Sequence, residues 1–175
     1  LPPPAPWGGF KRIKQLTAEE IGFQEPQNLI VEDLSHLGPL RFELVKNYHQ
    51  GQLWRYLIQQ YHYLGYRIRV GRDLRYFIHL GDDLVALLGF TESIFHHHLR
   101  DDWIGWDKVS QPRNRHRIVN NSRFLILPWV RVKNLASKIL AQAAKTMPKD
   151  WTAKYGYRPF LVETFVDCKR FSGTS

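Results

Sequence analysis

Between Arg123 and Val166 the chain runs through a short apolar segment, an amphipathic segment and a second apolar segment, and this order limits the fold more than any other feature. Arg123-Phe124-Leu125-Ile126-Leu127 stops at Pro128, which suits a buried strand. Leu135, Ala136, Ile139, Leu140, Ala143 and Met147 then recur on one helical face. Asn134 is the expected N-cap of that helix, and Pro148 its expected stop. Phe160 to Val166 reads as a further strand.

The first half is less periodic. Thr17-Ala18-Glu19-Glu20 matches a capping box, with Gly22 and Pro26 leaving its helix little room. Leu53, Leu57, Tyr61 and Leu64 predict a helix over 50–63 that stops near Gly65. Arg67 to Val70 alternates like a strand. Leu74 to Leu80 and Leu84 to Phe90, joined by Gly81-Asp82-Asp83, read as an antiparallel hairpin. Residues 27 to 47 are ambiguous, with Pro39 interrupting them, and 91 to 112 read as helix and loop. Residues 1 to 15, proline-rich and aperiodic, read as a leader or linker whose Trp7 and Phe10 are candidates to dock on the domain; 16 to 175 reads as one domain. The expected fold class is α/β (α+β), with a mixed, largely antiparallel central sheet flanked by helices.

Charge separates the chain into two unlike parts. The net charge is +9, yet residues 111 to 158 hold eleven Lys and Arg against the single acid Asp150, and the remainder sums to −1. Positive charge concentrated in this way favours a phosphate-bearing partner, because attraction adds over clustered charges and counterions are released on binding. No apolar run approaches the roughly 20 residues that span a bilayer, so no membrane partner is expected. The one cysteine, Cys168, can form neither an internal disulfide nor a Cys-rich zinc site, which fits a reducing cytoplasm; a buried or incidental thiol is expected there rather than a nucleophile. The chain has no initiator Met and ends at Thr174-Ser175 without a folding stop, so it reads as a fragment of something longer.

The strand-to-helix turn at Pro128 is the sharpest candidate site. A helix start offers free amide donors and partial positive charge to phosphate, and Arg131 and Lys133 would add full charges beside Asn134. This turn resembles the pyrophosphate loop of GNAT-type N-acyltransferases (Gln or Arg, two residues, Gly, one residue, Gly or Ala). Arg131, Asn134 and Ala136 occupy the three specified positions, with Asn in place of the central Gly. That resemblance implies a GNAT-like domain, acetyl-CoA or another acyl-CoA as cofactor, and Glu163, Asp107 or His62 as the catalytic base.

Arg113, Arg115, Arg117 and Arg123 form the densest basic cluster and are the expected nucleic-acid contacts, since Arg pairs bidentately with phosphate. His96-His97-His98 reads as a polar helix end, with no metal expected, because consecutive imidazoles on a helix diverge. The aromatics of Tyr61-His62-Tyr63-Leu64-Gly65-Tyr66 are read first as core packing, with base stacking as the alternative. Glu163, inside an apolar strand, must be paired or rise in pKa if buried, and alternation offers solvent as its other destination.

Five blocks carry a wider resemblance: Tyr61-His-Tyr-Leu-Gly-Tyr66; Asp102-Trp-Ile-Gly-Trp-Asp107; the long run Ile118 to Ser137; Tyr155-Gly-Tyr-Arg-Pro159; and Glu163-Thr-Phe-Val-Asp167. In this order they are similar to the DruA family of Druantia anti-phage defence systems, over roughly residues 36 to 174. The resemblance implies a bacterial defence role with other defence-system proteins as partners. Similar domains are also associated with mobile elements, which implies a transposition-associated accessory DNA-binding role as an alternative. It assigns no catalytic residues. It further implies that the family's domain continues past Phe171-Ser172-Gly173-Thr174, so the 16–175 domain is expected to be truncated at its C-terminus.

Overall fold

Two apolar runs joined by Gly81-Asp82-Asp83 fold into the expected hairpin. In the computed structural model, which describes residues 14–31, 38–68, 71–167 and 169, β2 (Asp73–Leu80) pairs antiparallel with β3 (Asp83–Glu92). Gly81 turns the chain between them at φ 59°, a backbone region costly for residues with a Cβ. β1 (Leu40–Leu44) adds antiparallel to β2, in the segment the sequence left ambiguous. β4 (Ile118–Ile126) adds antiparallel to β3, and β5 (Leu161–Thr164) lies parallel to β4. The sheet order is β1-β2-β3-β4-β5, so the expected mixed, largely antiparallel sheet is present.

Helices cover both faces. α2 (Tyr48–Tyr61) starts at Asn47, whose side chain accepts from the Gln50 N–H, and ends at His62 rather than Gly65. Trp54 of α2 lies against Gly89, where an added Cβ would meet its ring at 3.1 Å. α5 (Leu135–Tyr155) lies on the other face: Tyr76, the register partner of Leu88, donates its hydroxyl to Asp150 of α5 at 2.9 Å. Leu88 and Gly89 are adjacent in a strand, so their sides oppose. α5 buries Leu135, Ile139, Ala143, Met147 and Trp151, at about 1.5–3 kcal/mol for each large side chain. Shorter helices complete the fold: α1 (Ala18–Ile21), with its capping box formed, α3 (His98–Ile104) and α4 (Ser110–Asn114), followed by a 3-10 turn over Arg115–Arg117. Among the described residues no helix is long and apolar enough to cross a membrane.

The structure corrects three local expectations. Pro148 does not stop its helix: α5 continues for seven residues to Tyr155. An internal Pro costs about 3 kcal/mol, but fully buried Trp151, the Tyr76–Asp150 bond and the Tyr155 hydroxyl on the Asp73 carbonyl (2.7 Å) anchor the turns beyond it. Asn134 stands at the N-cap, yet its side chain caps nothing and its backbone is left-handed at φ 60°. Asn is the non-glycine residue best suited to that region. Arg67 and Ile68 are not in a strand, and Arg69 and Val70 lie outside the described residues, as do Trp7, Phe10 and Cys168.

Candidate functional site

β4 outruns its parallel neighbour. β5 pairs with it from Ile118↔Leu161 to Asn121↔Thr164, while β4 continues to Ile126 on the β3 side alone. The β4 edge from Ser122 to Ile126 is therefore the floor of an open cleft of about 670 Å³. Tyr61, His62, Tyr63 and Leu64 from the end of α2 form one wall. Ala136, Leu140, Ala143, Ala144 and Met147 of α5 form another, and Thr164, Phe165 and Val166 close the side towards β5. The spacing 136, 140, 143, 144, 147 is a single helical stripe, so one α5 face lines the cleft while the neighbouring stripe packs the core. Such a volume, with mostly apolar walls, is typical of small-molecule sites.

The first turn of α5 reaches this cleft through Ala136. The loop before it is braced: Ile30 N–H donates to the Trp129 carbonyl at 2.8 Å, and Arg131 N–H to the Ile30 carbonyl at 2.8 Å. Arg131, Lys133 and Asn134 are exposed on this loop, and no ion pair holds either cation among the described residues. Of the four residues expected to hold phosphate, Ala136 lines the cleft, and Arg131, Lys133 and Asn134 precede it on the exposed loop, at a helix start that no side chain caps.

The three candidate bases are not together. His62 lines the cleft; its Nδ1 accepts from the Leu64 N–H at 3.2 Å, which leaves the ring proton on Nε2. Burial, and then the charge of Arg123, hold its pKa down at about 4, against a hydrogen bond with the Phe124 main chain that raises it. His62 is therefore neutral at physiological pH. Asp107 is exposed and turned to the start of α4, where it accepts from the N–H groups of Val109 (2.8 Å) and Ser110 (2.6 Å); the Ser110 bonds hold its carboxyl below the usual range. Glu163 lies in a polar row of register partners, Asp73, Thr91, Asn120 and Glu163, crossing four strands. Its Oε2 accepts from Arg100 Nη1 at 3.2 Å, and Arg100, 8% exposed, also bonds Asp101 at 2.8 Å. The carboxylate is paired, as its apolar strand requires. Arg100 was not singled out from the sequence, although a buried acid in a strand demands such a partner.

The basic cluster is dispersed. Arg123 is 5% exposed and donates to the carbonyls of Gly65 (3.1 Å) and Ser122 (2.6 Å). Arg115 stacks on Phe95 at 3.5 Å and Arg117 on Phe160 at 4.6 Å, while Arg113 is exposed. In the aromatic block Tyr61 and Tyr66 pack against the core, as expected, while Tyr61 and Tyr63 also line the cleft. Leu140, Ala143 and Met147, read from the sequence as part of the helix's apolar face, line the cleft too, together with Ala144, which that reading did not include.

Comparison with known proteins places the chain in a family. A family model described as Druantia protein DruA matches residues 9–175. No curated protein and no solved structure matches the chain.

Proposed function

The chain belongs to the DruA family and is thereby a component of Druantia anti-phage defence; from that premise we propose that it binds a phosphate-bearing small ligand with an extended apolar part, of the acyl-CoA class, in the cleft between β4, α5 and β5. One observation carries the reading: an apolar cleft of about 670 Å³ includes Ala136, in the first turn of the uncapped α5, and exposed Arg131 and Lys133 lie three to five residues before it in the chain. The apolar walls suit the ligand's chain, and the helix start and two cations suit its phosphates. Three of the five sequence blocks that carry the family resemblance (61–66, 118–137 and 163–167) supply residues to this cleft. Of the three candidate bases His62 alone lines the cleft, and its neutral ring adds a polar group to an otherwise largely apolar wall.

Thermal unfolding with acetyl-CoA and with CoA tests the reading. At a ligand concentration a hundredfold above Kd, stabilisation is about 2.7 kcal/mol, or about 5–10 °C in Tm for a chain of this size. Arg131→Ala with Lys133→Ala should lose most of that shift, and Ala144→Trp, which fills the cleft from an exposed α5 position, should abolish it. No shift at millimolar ligand sinks the proposal.

Nucleic acid on the basic half is the second reading, favoured by one observation: Lys145 and Lys149 stand exposed on α5, in the same half as exposed Arg113, Arg131 and Lys133. Binding of that kind weakens steeply with salt and weakens further in Lys145→Glu with Lys149→Glu. Salt-independent or undetectable binding removes it.

A further inference from the structure

A second, smaller cavity of about 100 Å³ lies on the α2 face of the sheet, and its walls carry more charge than the cleft's. Gly89 is among its lining residues. A Cβ there would stand 3.1 Å from Trp54 Cζ2 and 3.3 Å from Arg123 Cβ, so Trp54 of α2 packs closely on the sheet beside the cavity. The register shift between Gly89 and Phe90 bows the strands at this point. Three guanidinium groups contribute to the walls, those of Arg67, Arg75 and Arg123, against the one carboxylate of Asp73. Asp73 is engaged by Arg75 at 2.8 Å. Two further wall residues, Trp54 (4% exposed) and Thr91 (9% exposed), hold polar atoms, Nε1 and Oγ1, without a hydrogen-bond partner among the described residues.

Buried unpartnered donors cost free energy, and an acceptor-rich anion, drawn to a lining that carries more positive than negative charge, relieves that cost. Arg forks pair bidentately with planar carboxylates and with phosphate, and a Thr hydroxyl rotates to donate to either. We propose that this pocket is a binding site for a small oxyanion, either a phosphate monoester or a carboxylate, held by Arg67, Arg75, Arg123 and Thr91. The volume holds such a headgroup and excludes a whole nucleotide. The site adjoins the ligand cleft, with which it shares the wall residues Phe90, Ser122 and Arg123. The chain thus has an anion pocket on one face of β4 and an apolar cleft along its edge.

Isothermal titration of the whole chain with inorganic phosphate, glycerol phosphate and acetate, each against chloride at matched ionic strength, tests the site. Saturable binding of the two phosphates alone identifies a phosphoryl group as the ligand's end, and of acetate alone a carboxylate. Arg67→Gln, at an exposed position that leaves folding intact, and near-isosteric Thr91→Val should each weaken binding by about ten- to a hundredfold, as expected for a lost hydrogen bond to a charged group. Ala144→Trp should remove the acetyl-CoA shift while leaving anion titration unchanged, so failure of the cleft reading and failure of this one are distinguishable. Absence of binding beyond chloride, or undiminished binding in both folded variants, overturns the proposal.

Discussion

Acidification should destabilise this protein through His62. The imidazole ends α2 at the cleft wall, with Nδ1 accepting from Leu64 N–H, so a second ring proton has no acceptor on that side and adds charge near Arg123. Its pKa of about 4 lies below the 6.5 of the free side chain. The unfolded chain therefore binds the proton more tightly than the folded one. The stability linked to the neutral ring is fully present above pH 6.5 and is lost as pH falls towards 4. The full displacement corresponds to about 3 kcal/mol; partial exposure and incomplete titration reduce the loss expected by pH 4.5 to about 2 kcal/mol. Urea unfolding of the wild type and His62→Gln at pH 7.0, 6.0, 5.0 and 4.5 isolates this contribution. Asp101 and Asp107, both held below the usual carboxylate range, add acid lability to both proteins and cancel in the difference. The wild-type advantage should shrink by about 2 kcal/mol between pH 7.0 and 4.5. A difference independent of pH, or an imidazole that titrates near 6.5 by NMR, would refute the reasoning.

Two further outcomes follow from the packing. Pro148→Ala restores an N–H to the middle of α5 and should raise stability by about 1–2 kcal/mol, the helix gain being offset partly by a freer unfolded chain; an unchanged urea midpoint would show that the helix has already absorbed the proline. Glu163→Leu should cost about 3–5 kcal/mol by leaving Arg100 without one of its two carboxylates, and Arg100→Met in the same chain should recover much of that; equal losses in the single and double variants would mean that the pair is not the cause.

Local pattern set much of this fold. The hairpin of β2 and β3, the helix over α2, the capping box at Thr17 and the strand-helix-strand order of 118–164 follow from periodicity and turn chemistry, which depend on neighbours in the chain. The pairing demand on Glu163 was also legible, since an acid in an apolar strand cannot stand alone. Tertiary contact decided what local pattern leaves open. Pro148 sits inside a helix because Trp151, Asp150 and Tyr155 are anchored to the sheet, a gain that propensity does not contain. The +10 half was legible as composition, but burial of Arg123 and the stacking of Arg115 and Arg117 on rings distribute it over unlike environments. The cleft arises where β5 stops four residues after it begins to pair, and the second pocket lies between α2 and the sheet, beside the close approach of Trp54 to Gly89. Both are spaces between elements, and a chain read one residue after another specifies its elements before it specifies the gaps between them.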